Sequence, residues 1–289
     1  NFSSGDGGAV FCEGTMLMTG GEIRGNAASS GGGIRIGNTF RTRTGTFTME
    51  GGRIHDNTAS STGSGIDAYW ANPVTLSGGS INNNEASSSG GAINAFFANI
   101  NIGDGVSISA NKATDGAGIY CFGGSIVMTG GSVRSNRATG KVSNSEDNGV
   151  GGISNSSGML RGFTVSGNAI ISGNTDTAGK NSNTNAELTI GGALGEDASI
   201  YVTAAVDAAF ASGSGDYKIT DGDAGHFFSD VSGLVPVLDA ENNSIKFQAE
   251  PGVELLDKVY LNGISGDGAA DGRTPETAVK TFAQAKALL

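Results

Sequence analysis

The sequence is poor in residues that usually interrupt or cross-link a chain. Its 289 residues include only four prolines and two cysteines, and 7% are aromatic. Two cysteines are too few for a disulfide framework, and no apolar run approaches the roughly 20 residues of a membrane-spanning helix. Acidic residues outnumber basic ones by 28 to 17, for a formal net charge of −11. This balance argues against nucleic acid and anionic membranes, so we predict neither a nucleic-acid partner nor a membrane span.

Glycine, in contrast, is abundant, with 50 residues spread along the chain. The glycines follow no Gly-X-Y period and prolines are few, which excludes a collagen-like triple helix. Apolar residues recur at fixed positions relative to the glycines, which argues against disorder. The length allows one large domain or two small ones.

A short motif, Ile-x-x-Asn, with Val once in place of Ile, recurs along the first part of the chain. Its asparagines are Asn26, Asn57, Asn84, Asn111, Asn136 and Asn174. The first five lie 31, 27, 27 and 25 residues apart. The sixth follows after 38, which indicates a loop insertion near residues 141–148. A period of this size is the signature of a repeat architecture, in which each unit stacks on the next.

Two further elements accompany the motif. An apolar pair with one residue between precedes it, as in Met16 and Met18, and a Gly-x-Ile-x-small element follows it, as in Ile93 and Ala95. Each element alternates with a period of two, as short strands do. We therefore predict an all-β fold, a right-handed parallel β-helix with three short strands per unit of about 27 residues. A β-propeller fits less well, because its blades need four longer strands.

Stacking would place equivalent residues of successive units in columns along the axis. The isoleucines of the motif then point inward, and the asparagines form one column of mutually bonded amides. The asparagines also fit a corner, because Asn tolerates the left-handed backbone region. Cys12 and Cys121 fall in one inward column, four units apart. We therefore expect two buried, free thiols and no disulfide.

The letters GGGI at residues 31–34, GGAI at residues 90–93 and the Ile-x-x-Asn motif carry a resemblance. They resemble the repeats of chlamydial polymorphic outer-membrane proteins, and more closely the glycine-rich β-helix repeats of very large surface proteins of gut Firmicutes, with a pectate-lyase-like fold. The resemblance covers about residues 7–174, with Ile or Val where the chlamydial repeats have Phe. It implies a secreted or surface-anchored bacterial protein engaged in adhesion or host contact, although a scaffold motif specifies no ligand.

The pattern divides the chain into three parts. Residues 1–185 carry the regular units, and residues 186–257 alternate like strands but lack the Asn corner, so we expect irregular rungs that cap the solenoid. Residues 258–289 resemble the opening of another pectate-lyase-like unit, or form a linker, with a short C-terminal helix that Thr274 caps and Pro275 begins. The chain starts in mid-pattern without a secretory signal, which we interpret as a piece of a longer protein.

Aromatic side chains cluster on three successive units. Tyr69, Phe96 and Phe122 follow the small residue of the third element, and Trp70 and Phe97 follow the first two of them. Stacking would align their rings in a ladder. Because aromatic faces bind sugar rings and Tyr and Trp are common anchors, these five residues are the predicted ligand-binding site. The alternative is that the rings pack on each other and seal a corner.

Candidates for catalysis are few. Glu22, Arg53 and His55 take outward positions on neighbouring units and would come together, which a mixed-charge surface explains more simply than an active site. No two carboxylates are expected to stack on adjacent units. We therefore predict no catalytic residues and no enzymatic activity.

Candidates for metal binding are equally sparse. Neither His55 nor His226 has further ligands at zinc spacing, so we predict no metal site. Four carboxylates offer oxygen ligands for calcium: Asp267, Asp271, Glu146 and Asp147. Turn chemistry accounts for all four, so we predict no cofactor, with calcium as the alternative. The threonines of residues 40–49 raise an ice-binding alternative. We disfavour it because the threonines are not expected to repeat in columns and because the outward positions vary in size and charge.

Three hypotheses of function follow. The first is a monomeric bacterial surface adhesin that presents a rigid face to a host glycan or host protein, such as mucin, immunoglobulin or matrix. The second is a pectate-lyase-like carbohydrate-active enzyme, and the third is a stalk that binds nothing. An aromatic ladder without carboxylates favours binding, an acidic cleft favours the enzyme, and an even polar surface favours the stalk.

Overall fold

The protein folds as a parallel β-helix, which confirms the predicted all-β class. The structure is a computed structural model, and it describes residues 1–38, 44–141, 148–155, 161–251, 260, 273–274 and 277–281. Successive turns of the solenoid, called rungs below, repeat about every 27 residues.

The strands are short, and each of the first five rungs contributes one strand to each of four sheets. In chain order, the first three rungs contain β1 (Val10–Cys12), β2 (Thr15–Met18), β3 (Glu22–Arg24), β4 (Ala27–Ala28), β5 (Ile34–Ile36), β6 (Thr46–Met49), β7 (Arg53–His55), β8 (Thr58–Ala59), β9 (Ile66–Tyr69), β10 (Val74–Leu76), β11 (Gly79–Asn82) and β12 (Glu85–Ala86). The next rungs contain β13 (Ile93–Phe96), β14 (Asn99–Ile102), β15 (Val106–Ser109), β16 (Lys112–Ala113), β17 (Ile119–Phe122), β18 (Ser125–Met128), β19 (Ser132–Arg134), β20 (Arg137–Ala138), β21 (Ile153–Ser154), β22 (Gly162–Gly167) and β23 (Ile170–Ser172). The last elements are β24 (Leu188–Leu194), β25 (Ser199–Val202), β26 (Ala209–Gly213), α1 (Asp221–Ala224), β27 (Phe227–Ser229), β28 (Leu234–Asp239) and β29 (Ser244–Ala249).

These strands form four sheets. A six-stranded sheet has the order β1-β5-β9-β13-β17-β21, and a ten-stranded sheet has the order β2-β6-β10-β14-β18-β22-β24-β26-β29-β28. An eight-stranded sheet runs from β3 through β7, β11, β15, β19, β23 and β25 to β27, and a five-stranded sheet contains β4, β8, β12, β16 and β20. The first three sheets are the three predicted strands of each unit. The fourth was not predicted, because its two-residue strands are too short to alternate visibly.

The interior is built from columns of apolar side chains, as predicted. Ile54 pairs in register with Ile81, Ile81 with Ile108, and Ile108 with Val133. All four are fully buried. Ile23 and Cys12, in the first of these rungs, are half-buried. The prediction that both cysteines are buried is therefore wrong for Cys12 and correct for Cys121.

The predicted asparagine column exists and is continuous. The asparagines of the column form a hydrogen-bonded ladder. Nδ2 of each ladder asparagine donates to Oδ1 of the next, at 2.9 Å from Asn26 to Asn57 and 3.0 Å from Asn57 to Asn84. The same Oδ1 also accepts the backbone N–H of the preceding asparagine, at 3.1 Å for Asn26 and for Asn57. Beyond Asn174 the ladder adds Asn183 and ends on the carboxylate of Asp230, at 2.8 and 2.6 Å. The fold thus satisfies a file of buried polar groups from rung to rung.

The corner next to this ladder differs from the prediction. The ladder asparagines are not in the left-handed region; the residue before each of them is. These residues are Gly25, Asp56, Asn83, Ala110, Ser135 and Gly173, with φ between 54° and 63°. The side-chain amide of each asparagine makes the ladder hydrogen bonds. The left-handed turn falls one position earlier, where small or polar residues adopt positive φ.

The chain leaves the regular repeat at the predicted insertion. Lys141 and Asn148 form an antiparallel bridge, and the backbone N–H of Gly149 donates to the carbonyl of Gly140 at 3.0 Å. The two ends of the insertion therefore meet, and the rung resumes with its register intact.

The second half continues the solenoid less regularly. β24 pairs in parallel with β22 and with β26, so the ten-stranded sheet runs across the predicted boundary at residue 186. β29 then pairs antiparallel with β26, and the buried ring of Phe247 stacks on Phe210 with centroids 4.3 Å apart. In the described part of the chain the only helix is α1, whose four residues are far too few to span a membrane.

Two compact units are distinguished, residues 1–232 with 236–247, and residues 233–235 with 248–289. The second unit is described only in part, and most of the predicted C-terminal helix, including Pro275, lies outside the described residues. Within it the backbone N–H of Thr277 donates to Oγ1 of Thr274 at 3.3 Å, the bond that an N-cap makes.

Candidate functional site

Three of the predicted site residues form an inner ring ladder at the end of the six-stranded sheet. Tyr69, Phe96 and Phe122 close β9, β13 and β17, and they pair with each other in register. The rings of Tyr69 and Phe96 are stacked with centroids 4.3 Å apart, and those of Phe96 and Phe122 with centroids 5.0 Å apart. All three side chains are half-buried.

The other two residues form an outer ring pair, one position further along the chain. Trp70 and Phe97 are stacked with centroids 4.2 Å apart and an interplanar angle of 1°. Their rings meet the inner ladder edge-on, with Phe97 4.9 Å from Phe96 and 5.5 Å from Phe122. The structure thus brings all five predicted residues into one cluster, which we call the aromatic corner.

The outer pair stands on strained backbone. Trp70 and Phe97 have φ values of 55° and 50°, in the left-handed region. The position in register with Phe97 on the following rung is Gly123, with a φ of 74°. On the rung that precedes Trp70 the turn comes one position earlier, at Gly37 with a φ of 76°, directly after Ile36, which pairs with Ala68. The turn after this sheet therefore requires positive φ on each of these four rungs, a conformation that suits glycine and is unusual for bulky residues.

This use of aromatic residues is specific to one corner. At the left-handed corner before the ladder asparagines, every residue is Gly, Ala, Ser, Asp or Asn. Two further columns of left-handed residues contain only glycine, among them Gly52 and Gly79 in one and Gly63 and Gly90 in the other. Holding a bulky L-residue in the left-handed region costs on the order of 1–2 kcal/mol. Strain of this kind persists only where surrounding structure maintains it, and it concentrates at binding sites.

A shallow recess of about 230 Å³ opens beside the outer pair. Its described walls are the rings of Trp70 and Phe97, the amides of Asn72 and Asn99, Thr44, Gly123 and Arg161. Phe97 lies over Gly123, where an added Cβ would come within 2.5 Å of the ring. The recess is therefore formed by the aromatic corner and by residues at or near the starts of strands of the ten-stranded sheet.

The amides in the recess are held by hydrogen bonds. Oδ1 of Asn99 accepts from the hydroxyl of Ser125 at 2.9 Å and from its backbone N–H at 3.2 Å. Nδ2 of Asn99 donates to Oδ1 of Asn72 at 3.0 Å. These bonds orient Asn72 so that its own NH₂ group points away from Asn99. A flat apolar surface with fixed amide donors suits a sugar ring and its hydroxyl groups.

A buried arginine, Arg35, covers the outer face of the ring of Tyr69, the first ring of the inner ladder. The sequence analysis did not identify this residue. The guanidinium of Arg35 lies 4.5 Å from the centroid of Tyr69 and pairs with the fully buried Asp67. Burial lowers the pKa of Arg35, and the nearby carboxylate of Asp6 opposes this effect. Nδ2 of Asn94 donates to the other oxygen of Asp67 at 2.6 Å. Tyr69 and Phe96 thus lie with both ring faces covered, which fits the sealing role for these two residues.

The charged candidates also come together. Oε1 of Glu22 lies 3.6 Å from Nη1 of Arg53 and 3.7 Å from Nε2 of His55, and Nδ1 of His55 lies 2.6 Å from Oδ2 of Asp56. His55 was expected to be exposed, but it is 95% buried, because it lies in one column between Arg24 and Asn82. Glu22 and Arg53 are about half exposed, and ion pairs of this kind contribute little.

No group of three His, Cys, Asp or Glu side chains is placed to hold a metal ion within the described ranges. The calcium candidates Glu146, Asp147, Asp267 and Asp271 lie outside those ranges, so calcium binding stays an alternative.

The ten-stranded sheet corrects one argument made from the sequence. Threonines do share a column on its outer side: Thr48 pairs with Thr75, and Thr164 with Thr189. Asn101 and Val127 stand between the two pairs. The column of threonines is therefore interrupted. This interruption disfavours ice binding, whereas the argument that threonines form no columns was wrong.

Comparison of the chain with known protein families, with curated proteins and with solved structures finds no match. The resemblance to surface-protein repeats stays a prediction, and the aromatic corner must be interpreted from its own chemistry.

Proposed function

We propose that this chain is a glycan-binding module of a bacterial surface protein, and that the aromatic corner is its binding site. In this proposal Trp70 and Phe97 contact the sugar, and Asn72 and Asn99 bond its hydroxyl groups. Tyr69, Phe96 and Phe122 support the outer pair from behind. The rigid β-helix holds the site at a fixed position on an extended surface.

One observation carries the proposal, namely the left-handed backbone at Trp70 and Phe97. Glycine takes this turn at Gly123, in register with Phe97, and one position earlier at Gly37 on the rung before Trp70, so the fold itself does not need aromatic residues there. A pair of large rings kept at strained positions beside a recess supports a role in contact with a ligand. Adhesion to a host surface and location outside the cell extend this proposal, and they rest on the resemblance of the repeats.

The other two hypotheses have less support. An enzyme of the pectate-lyase-like kind needs clustered carboxylates or a calcium site with a basic residue. The described walls of the recess contain no carboxylate. A stalk without a ligand would not account for strained aromatic residues at one corner. We therefore propose binding without turnover.

The test replaces both outer rings with glycine. Because the turn prefers glycine, the double variant Trp70→Gly/Phe97→Gly relieves backbone strain while it removes the rings. We expect loss of binding on a glycan array and a thermal midpoint within a few degrees of the wild type. Ala110→Gly, at the left-handed corner before the ladder asparagines, is the matched control and should bind as the wild type does.

Two results would contradict the proposal. If the double variant unfolds at a much lower temperature, the rings serve stability, as in the sealing alternative. If it retains binding to every glycan that the wild type binds, the site is elsewhere.

A further inference from the structure

We propose that the recess recognises a sugar that carries a carboxylate, such as a uronic or sialic acid residue, and that Arg161 contacts this carboxylate. The inference rests on the proposed glycan-binding function and names the ligand class of the same site.

The first argument is the sign of the local charge. The chain carries a formal net charge of −11, yet the one charged residue among the described walls of the recess is Arg161. A site for a cation or a basic peptide would place carboxylates in these walls. A site for a neutral sugar needs no charge at all. An arginine without a carboxylate beside it in the described walls, on a chain of net negative charge, favours an anionic group on the ligand.

The second argument is the position of Arg161 relative to the ring pair. It precedes β22 directly, and its backbone N–H donates to the carbonyl of Gly124 at 2.8 Å. Its guanidinium carbon lies 5.9 Å from the centroid of Phe97, at the outer limit of a cation–π contact. The side chain is exposed, so its donors remain hydrated until a ligand arrives. A guanidinium can bind a carboxylate through two parallel hydrogen bonds, a geometry that lysine lacks.

The third argument concerns the remainder of the sugar. The exposed Asn72 accepts from Asn99 through Oδ1, and its Nδ2 makes no hydrogen bond to the described residues. This leaves amide donors in the recess for hydroxyl groups of the sugar. The volume of about 230 Å³ is below the ~300–1,000 Å³ of pockets for drug-sized ligands, so the recess suits one terminal sugar residue.

The experiment uses pairs of probes that differ in the carboxylate. The first pair is sialyllactose and lactose, and the second is a galacturonic acid trimer and its methyl ester. Isothermal titration with the whole chain should show at least one acidic probe binding about tenfold or more tightly than its neutral partner, as expected for a charge-assisted bond. Arg161→Gln should abolish this preference, and Arg161→Lys should retain part of it. Arg134→Gln, which changes an exposed arginine of the eight-stranded sheet, should leave it unchanged.

The outcomes separate this inference from the proposed function. Equal binding of acidic and neutral probes, or a preference that survives Arg161→Gln, overturns the inference and leaves glycan binding intact. Equally tight binding of an oligoglutamate peptide shows that charge alone is recognised, and tighter binding of a sulfated sugar excludes the carboxylate. If no probe and no glycan of a broad array binds, the proposed function fails with it.

Discussion

Cys12 and Cys121 occupy one column of the six-stranded sheet, four strands apart. The register runs from Cys12 to Ile36, Ala68 and Ala95, and then to Cys121. At about 4.8 Å per strand the two Cα atoms are separated by roughly 19 Å, far beyond the ~7 Å between Cα atoms that a disulfide permits. Both cysteines are free, as the repeat spacing predicts.

This register predicts how the thiols react. Cys121 is fully buried, and desolvation raises the pKa of its thiol to about 11, so it should resist alkylation in the folded protein. Cys12 is half-buried and should react slowly in the native state. Thiol labelling followed by mass spectrometry should find one slow modification before unfolding and two after it. A denatured protein without free thiols would show that the register is wrong.

The raised pKa of Cys121 also predicts a dependence of stability on pH. The folded state holds the thiol proton up to about pH 11, whereas the unfolded state loses it near the ordinary pKa of 9.0. The contribution is therefore complete below pH 9 and is lost as the pH rises to about 11. It amounts to roughly 2–3 kcal/mol. Denaturant unfolding of wild type and Cys121→Ala should show a steeper alkaline loss in the wild type. Parallel curves would contradict the burial of this thiol.

The asparagine ladder should tolerate substitution poorly in its middle. Oδ1 of Asn84 accepts from the backbone and the side chain of Asn57, and its Nδ2 donates to Asn111 and to the carbonyl of Ile54. Asn84→Ala leaves these buried groups unsatisfied and should reduce the free energy of unfolding by about 2–4 kcal/mol. Asn84→Asp should cost more, since it places oxygen against oxygen. Asn101→Ala, on the outer side of the ten-stranded sheet, is the control. Similar losses at both positions would refute the ladder as a stabilising element.

The end of the ladder offers a separate prediction. Asp230 accepts three hydrogen bonds, from the backbone and side chain of Asn183 and from Oγ1 of Thr203, at 2.6–2.8 Å. Asp230→Asn turns an NH₂ group toward one of these donors and should destabilise the protein by about 1–3 kcal/mol. Chemical denaturation measures the loss. An unchanged midpoint would indicate that the ladder does not depend on a carboxylate terminus.

The columns of the regular rungs could be predicted from the sequence because their period is explicit. Ile54, Ile81 and Ile108 recur with the same neighbours, and a strict period of two fixes which side chains point inward. The left-handed corner before the ladder could not be predicted in the same way. Its residues, such as Asp56 and Ala110, share a backbone conformation but no side-chain chemistry.

The candidate site was predictable only in part. The five aromatic residues occupy two adjacent positions of the repeat, so their proximity followed from the spacing. The division into an inner ladder and a strained outer pair depends on φ values, which the residue types do not reveal. Arg35, Asp67 and Arg161 were missed because none of these residue types recurs at its position in the repeat: the column of Arg35 and Asp67 continues with Asn94.

Trp70 provides the most direct test of the account, because it is the only tryptophan in the chain. Its fluorescence therefore reports on the aromatic corner alone. Titration with a glycan that the array identifies should change the emission of Trp70 saturably, with the same dissociation constant that calorimetry gives. Binding seen by calorimetry without any change in this emission would place the ligand elsewhere and would contradict the assignment of the site.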